Sequence, residues 1–285
     1  MRDTRIEAVA GLAGRYSGFL PDAWRIFYAF GGATFAMALR AAVEGVGRPD
    51  LRLVSAEATY CQAVPCGPVA VQVEVLRSGR RGAQAQVRLW ASDDPSGPVG
   101  SDLVVTVVLG ASDEASPYRF LGTELPPEIP GPLQAGGRSP VDPKSPFGNI
   151  PFHSQTDYRP ALGHVPGDPA FAVAGEPRTA AWFRFLRPPI AEDGTWEQWS
   201  LAVPGDVLGP AISEGLGPCD PFLVITLQLS MQFFEPMRGD FVCQHTRAHY
   251  VGDGFATGVA ELWSEDRRLV ALCTQSAMLQ PFKSG

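Results

Sequence analysis

The sequence has little of what several classes of protein require. Acidic residues exceed basic ones, giving a net charge of −7 at pH 7, and no basic cluster is large enough to bind nucleic acid. No apolar run reaches the roughly 18–20 residues that span a bilayer, and the first residues lack the apolar stretch of a secretion signal. We therefore expect a cytoplasmic protein with neither a nucleic-acid partner nor a membrane partner.

Cysteine and histidine are scarce as well. The five cysteines form no C-x-x-C pair, and there are four histidines. His245 and His249 are four residues apart, but the segment around them alternates like a strand, and no other ligand has a matching spacing. We expect reduced thiols, no disulfide framework, no metal site and no cofactor.

Proline is plentiful, and its placement predicts how the chain is divided. Fifteen of the 27 prolines lie between Pro117 and Pro189. Proline lacks an amide donor and restricts the residue before it, so segments such as residues 124–146 cannot sustain a helix or a central strand. We expect an N-terminal unit at residues 1–111, a proline-rich connector at 112–179 and a C-terminal unit at 180–285.

The two flanking units resemble each other. Each is predicted to have one helix followed by several long strands joined by hairpins, and LWASDD and LWSEDR occupy the same place in the two units. Apolar residues recur at helical spacing in the first helix, and Val69, Val71 and Val73 alternate as in a sheet with one covered face. These patterns predict an α+β double hotdog, in which two curved antiparallel sheets are each wrapped around a central helix.

Several short motifs, in order along the chain, resemble the type II (TesB-like) acyl-CoA thioesterase family. Phe30 is followed by an alanine-rich helix predicted to begin at Gly31 and Gly32, and residues 76–80 read L-R-S-G-R. Thr226 opens T-x-x-x-S-M-x-F-x-x-P. The resemblance implies a double hotdog, hydrolysis of acyl-CoA to free acid and CoA, a place in fatty acid metabolism, and a homo-oligomer that is a dimer or larger.

The same resemblance implies that Asp206, Thr226 and Gln275 hold a water against the thioester carbonyl. A carboxylate can accept a proton from that water, and a hydroxyl and an amide can fix its direction. The residues also admit structural roles, because Asp206 could cap the second helix and Thr226 suits any strand. In the first unit we match these positions to about Phe35 or Ala36, Ser55 and Thr106, which predicts one active site per chain.

The remaining features of the predicted site are less specific. Amide groups of Gly31 and Gly32, or of the first turn after Asp206, could stabilise the oxyanion, and Phe233 could line the acyl tunnel. Arg77, Arg80 and Arg81 could meet CoA phosphates or form a solvated hairpin tip. Two other functions stay open, namely non-catalytic binding of acyl thioesters and hydrolysis of acyl chains carried by a protein.

Overall fold

The computed structural model describes residues 2–113, 115–137, 147–164 and 173–282, so parts of the predicted connector (114, 138–146 and 165–172) lie outside the described residues. The described residues contain three α-helices: α1 (Gly31–Val46), α2 (Ala202–Gly205) and α3 (Gly209–Leu216). They contain twelve β-strands: β1 (Ile6–Ala8), β2 (Arg15–Leu20), β3 (Leu51–Tyr60), β4 (Gly67–Ser78), β5 (Gly82–Ala91), β6 (Leu103–Ala111), β7 (Thr156–Leu162), β8 (Arg178–Phe185), β9 (Phe222–Phe233), β10 (Val242–Gly252), β11 (Phe255–Ser264) and β12 (Leu269–Pro281). Short 3-10 helices lie at Arg2–Thr4, Asp22–Trp24, Pro151–Ser154 and Gln198–Leu201. No described helix has the length and apolar composition that crossing a bilayer requires.

All twelve strands form one antiparallel sheet, in the order β1-β2-β4-β5-β6-β3-β9-β12-β11-β10-β8-β7. The predicted antiparallel pairing is confirmed, but the prediction of two separate sheets is wrong. The halves join where β3 pairs with β9, with Glu57 opposite Ser230 and accepting a hydrogen bond from Gln228 at 2.8 Å. This pairing satisfies ladder groups that two separate sheets would leave open at their edges.

Helix α1 lies across the first half of the sheet and supplies much of the core. Phe35, Met37 and Leu39 are fully buried, and the alternating residues of β4 and β5 face them. The helix ends at Gly47, whose left-handed conformation (φ 62°) suits glycine after a helix. The start of this helix at Gly31 agrees with the sequence prediction and places two glycines in its first turn.

The second half has two short helices where one was predicted. A helix running through this segment would need residue 210 to donate to the carbonyl of Asp206, and Pro210 has no amide hydrogen. The helix therefore breaks, and Asp206 lies between α2 and α3 with φ −94° and ψ 74°. The alternative structural role of Asp206, as the cap of the following helix, is not seen, because Leu208 occupies the N-cap position of α3.

The described part of the connector packs against the second half of the sheet. β7 forms the end of the sheet by pairing with β8. Leu125 and Ile129 are buried against the outer face, and the indole nitrogen of Trp182 donates to the carbonyl of Pro130 at 2.7 Å. The connector covers that face and leaves the opposite face to α2 and α3.

Candidate active site

Three of the predicted site residues meet at one point. Asp206 lies at the break between α2 and α3, Thr226 on β9 and Gln275 on the neighbouring strand β12. The Thr226 hydroxyl donates to Asp206 Oδ1 at 2.9 Å, and Gln275 Nε2 donates to the same oxygen at 2.7 Å. Gln275 Nε2 also lies 2.7 Å from Thr226 Oγ1, so the three side chains form a closed network around one carboxylate oxygen.

The orientation of the Gln275 amide is fixed from both ends. Its Oε1 accepts the backbone N–H of Leu208 at 3.2 Å, so its Nε2 is the atom that faces Asp206. The side chain is only 6% exposed, and a buried amide that lost these partners would cost about 1–3 kcal/mol. Gln275 therefore holds both the backbone after the break and the carboxylate within it.

The first half of the chain contributes the N-terminus of α1. The amide of Gly32 donates to the Asp206 carboxylate. A Cβ atom on Gly31 would lie 2.6 Å from Asp206 Oδ2, and a Cβ on Gly32 would lie 2.6 Å from the carbonyl oxygen of Ala202. Glycine is thus required at both positions for α1 to approach α2 and Asp206. The structure brings Gly31 and Gly32 to the predicted triad, where the helix dipole favours a negative charge.

Burial raises the pKa of Asp206 to about 6. The hydrogen bonds from Thr226, the Gly32 amide and Gln275 oppose this shift because they stabilise the charged form. The Asp206 carboxylate is therefore ionised above about pH 6, and it is a stronger proton acceptor than an ordinary exposed aspartate.

Two tyrosines next to the carboxylate are not predicted from the sequence. The Tyr60 hydroxyl donates to the carbonyl of Gly31 at 2.9 Å. Burial, and then the charge of Asp206, raises the pKa of both Tyr60 and Tyr28, so both stay neutral. Tyr60 ends a strand and Tyr28 precedes the helix, and neither position has a local signal that would point to the site.

Phe233 does not reach the triad in this structure. It lies seven residues beyond Thr226 on β9, which is roughly 23 Å along a strand. Its side chain is 2% exposed and packs in the main core. The structure gives Phe233 a packing position, and its predicted place along the acyl tunnel stays a prediction.

The other candidate binding residues lie apart from the triad in the chain and in the fold. The arginine cluster of residues 77, 80 and 81 is at the exposed turn between β4 and β5, where Arg81 pairs with Asp113 at 3.3 Å. His245 lies on β10 and contacts Glu261 through Nδ1 at 3.1 Å. Within the described ranges, no group of three or more metal-ligating side chains is found.

The first-half positions equivalent to Thr226 and Gln275 carry apolar residues. The strand registers of the two halves show which residues these are. One extra residue bulges from β3 at position 54 and from β9 at position 227, which aligns Leu53 with Thr226 and Val107 with Gln275. Both residues are 1% exposed. The expected matches at Ser55 and Thr106 are therefore wrong by two residues and one residue, because weak similarity between the halves does not fix the register that the strand pairing shows.

Two family models match the two halves of the chain. Residues 20–110 match the model of the acyl-CoA thioesterase N-terminal domain, and residues 130–279 match the acyl-CoA thioesterase C-terminal domain. No curated protein sequence matches the chain.

Solved structures show the same fold. An acyl-CoA thioesterase II TesB2 from Mycobacterium marinum is 18% identical, with a TM-score of 0.71 over 100% of this chain and 99% of that one. A TesB protein from Mycobacterium avium subs paratuberculosis is 16% identical, with a TM-score of 0.73 over 98% and 97%. A hot dog fold protein from Alicyclobacillus acidocaldarius is 19% identical, with a TM-score of 0.76 over 98% and 97%.

The fold and the matched domains define a thioester hydrolase with a hotdog fold. The chain belongs to the acyl-CoA thioesterase family.

Proposed function

We propose that this protein hydrolyses acyl-CoA to a free acid and CoA, using a water molecule that Asp206, Thr226 and Gln275 orient. The observation that carries the proposal is the closed network around Asp206, whose pKa is about 6 and whose neighbours come from both halves of the chain. A carboxylate with that pKa can act as a general base near neutral pH.

The two carboxylate oxygens have different roles in this proposal. Oδ1 accepts hydrogen bonds from Thr226 and Gln275, which fix the plane of the carboxylate. Oδ2 lies against Gly31 and accepts a proton from the attacking water. The water oxygen bonds to the thioester carbon, and collapse of the tetrahedral intermediate breaks the carbon–sulfur bond. The departing thiolate takes the proton back from Asp206, so the enzyme ends unchanged.

The oxyanion of that intermediate is proposed to lie at the first turn of α1, beside Gly31. Backbone amides at a helix N-terminus stabilise a developing negative charge. The Leu208 amide in the alternative turn, after Asp206, donates to Gln275, and the Gly32 amide donates to Asp206, so we propose the Gly31 amide as the donor to the oxyanion. The first half of the chain thus supplies a binding surface, and the second half supplies the acid–base group.

We also propose that each half is one hotdog unit. In this arrangement α1 is the central helix of the first unit, and α2 with α3 is the interrupted central helix of the second. The two matched family domains, at residues 20–110 and 130–279, support this division. The interruption gives the second unit the carboxylate that the first lacks.

Thiol release from a panel of acyl-CoAs tests the proposal. We expect turnover by the wild type and a loss of at least about 100-fold in Asp206→Asn and Gln275→Leu, as for other groups that position a reacting water. Thr106→Val, on the outer face of β6, is the matched control and should keep wild-type activity. Binding of acyl-CoA without turnover would instead support non-catalytic binding of acyl thioesters. Turnover only of acyl chains carried by a protein would support a thioesterase specific for carrier proteins.

A further inference from the structure

The break between α2 and α3 separates two backbone groups that an uninterrupted helix would join. In a continuous α-helix the amide of Leu208 would donate to the carbonyl of Pro204, four residues earlier. Here the Leu208 amide donates to Gln275 Oε1 at 3.2 Å, and the Pro204 carbonyl accepts Gln244 Nε2 at 2.7 Å. Two glutamine side chains therefore replace one helical hydrogen bond, and Asp206 lies between them.

Gln244 is placed for this contact by the sheet. It lies on β10, opposite Leu262 of β11 and Ala181 of β8, and is 4% exposed on the face that α2 covers. Its Oε1 is buried and has no hydrogen-bond partner among the described residues. Burying an amide with an unpaired oxygen costs free energy. The hydrogen bond from Gln244 Nε2 to Pro204 is therefore the feature that accounts for a glutamine at this position.

We infer that Gln244 is a positioning residue that keeps α2 apart from α3, so that the carboxylate of Asp206 meets Thr226 and Gln275. The inference rests on the proposed function. Without Gln244 the Pro204 carbonyl is a buried acceptor, and the Leu208 amide is the donor that helix geometry would offer it. Forming that bond takes the amide from Gln275 and turns Asp206 from ψ 74° toward helical values.

The variant Gln244→Met tests this directly, because methionine keeps the length of the side chain and removes the donor. We expect kcat to fall about 10- to 100-fold with little change in KM, the loss typical of a misplaced catalytic group. The pH at which kcat/KM is half-maximal should rise, because Asp206 loses hydrogen bonds to its charged form. The midpoint of urea unfolding should stay close to that of the wild type, because the substitution also removes the unpaired Oε1.

Gln198→Met is the matched control. Gln198 is another largely buried amide, and it bonds both backbone groups of Leu53, at 2.9 and 3.1 Å. Its loss should lower the urea midpoint and leave the pH profile unchanged, because it does not contact the α2–α3 break. Gln244→Glu provides a rescue, since a protonated carboxyl can donate to Pro204 and a carboxylate cannot. Its activity should exceed that of the methionine variant at low pH and lose that advantage as pH rises.

The outcomes separate this inference from the proposed function. If the wild type hydrolyses acyl-CoA and folded Gln244→Met keeps the wild-type kcat and pH profile, the inference is overturned. The same holds if Gln198→Met changes the pH profile equally. If the wild type has no turnover, the proposed function fails, and a carbon-13 NMR titration of Asp206 still tests the positioning. A raised Asp206 pKa in Gln244→Met then supports it, and an unchanged pKa overturns it.

Discussion

Replacing Asp206 by asparagine should abolish activity while making stability less sensitive to pH. Burial raises the pKa of Asp206 from 3.8 to about 6, so the native protein holds a proton that the unfolded chain releases in this range. Asp206 therefore contributes stability that is fully present below about pH 4 and is lost as pH rises through 6. Worked from these two values, the loss between pH 4 and pH 7 is about 2 kcal/mol.

Urea unfolding of wild type and Asp206→Asn at pH 4, 5, 6 and 7 measures this loss. The free energy of unfolding of the variant, relative to that of the wild type, should increase by about 2 kcal/mol across the range. Asp206→Ala is the control, because it also removes the charge but leaves a different shape. Its stability should differ from that of Asp206→Asn by a constant amount and follow the same slope. Parallel curves for wild type and both variants would refute the assignment of a raised pKa to Asp206.

Three further predictions concern the surroundings of the carboxylate. The kcat/KM of the wild type should rise with pH, with a midpoint near pH 6. Thr226→Val should move that midpoint upward, because the hydrogen bond from Thr226 lowers the pKa of Asp206. An unmoved midpoint would contradict this. Gly31→Ala places a Cβ 2.6 Å from Asp206 Oδ2. It should lower the free energy of unfolding in urea by about 1–3 kcal/mol and the thiol-release activity at least tenfold. Wild-type values for both would show that α1 does not approach Asp206 closely. Cys273 is buried and its thiol pKa is raised, whereas Cys61 is exposed. Iodoacetamide should therefore label Cys61 in the native protein and Cys273 only after unfolding, as detected by mass spectrometry. Labelling of Cys273 in the native protein would contradict its burial.

The identities of the site residues come from the resemblance to the thioesterase family, because their local sequence also fits structural roles. Gln275 also has a local signal, because a buried amide in a strand of apolar residues needs partners, whereas Thr226 suits any strand. Gly31 and Gly32 come from the same resemblance, and they begin the helix that its apolar periodicity predicts. The helix and strands follow from the same periodicities, which local side-chain burial imposes.

What the sequence does not reveal depends on contacts between distant segments. The two halves are joined because the edge strands β3 and β9 pair with each other. The sequence does not predict this pairing, because the alternation of apolar residues is the same in one sheet as in two. The register between the halves is visible only in the strand pairing, where the bulges at residues 54 and 227 correspond and Leu53, not Ser55, matches Thr226. The helix break at Asp206, in contrast, has a local signal in the sequence, because Pro210 has no amide hydrogen to donate to the carbonyl of Asp206. Gln244 acts on a backbone group 40 residues away, which no local pattern predicts.

A single turnover in water enriched in oxygen-18 tests the central claim most directly. Enzyme in excess over acyl-CoA should release an acid with one labelled oxygen, while mass spectrometry of the peptide containing Asp206 shows no label, because the carboxylate takes a proton and forms no bond to the acyl group. Label in Asp206 would show that it attacks the thioester as a nucleophile, and the absence of turnover would show that the network does not hydrolyse acyl-CoA.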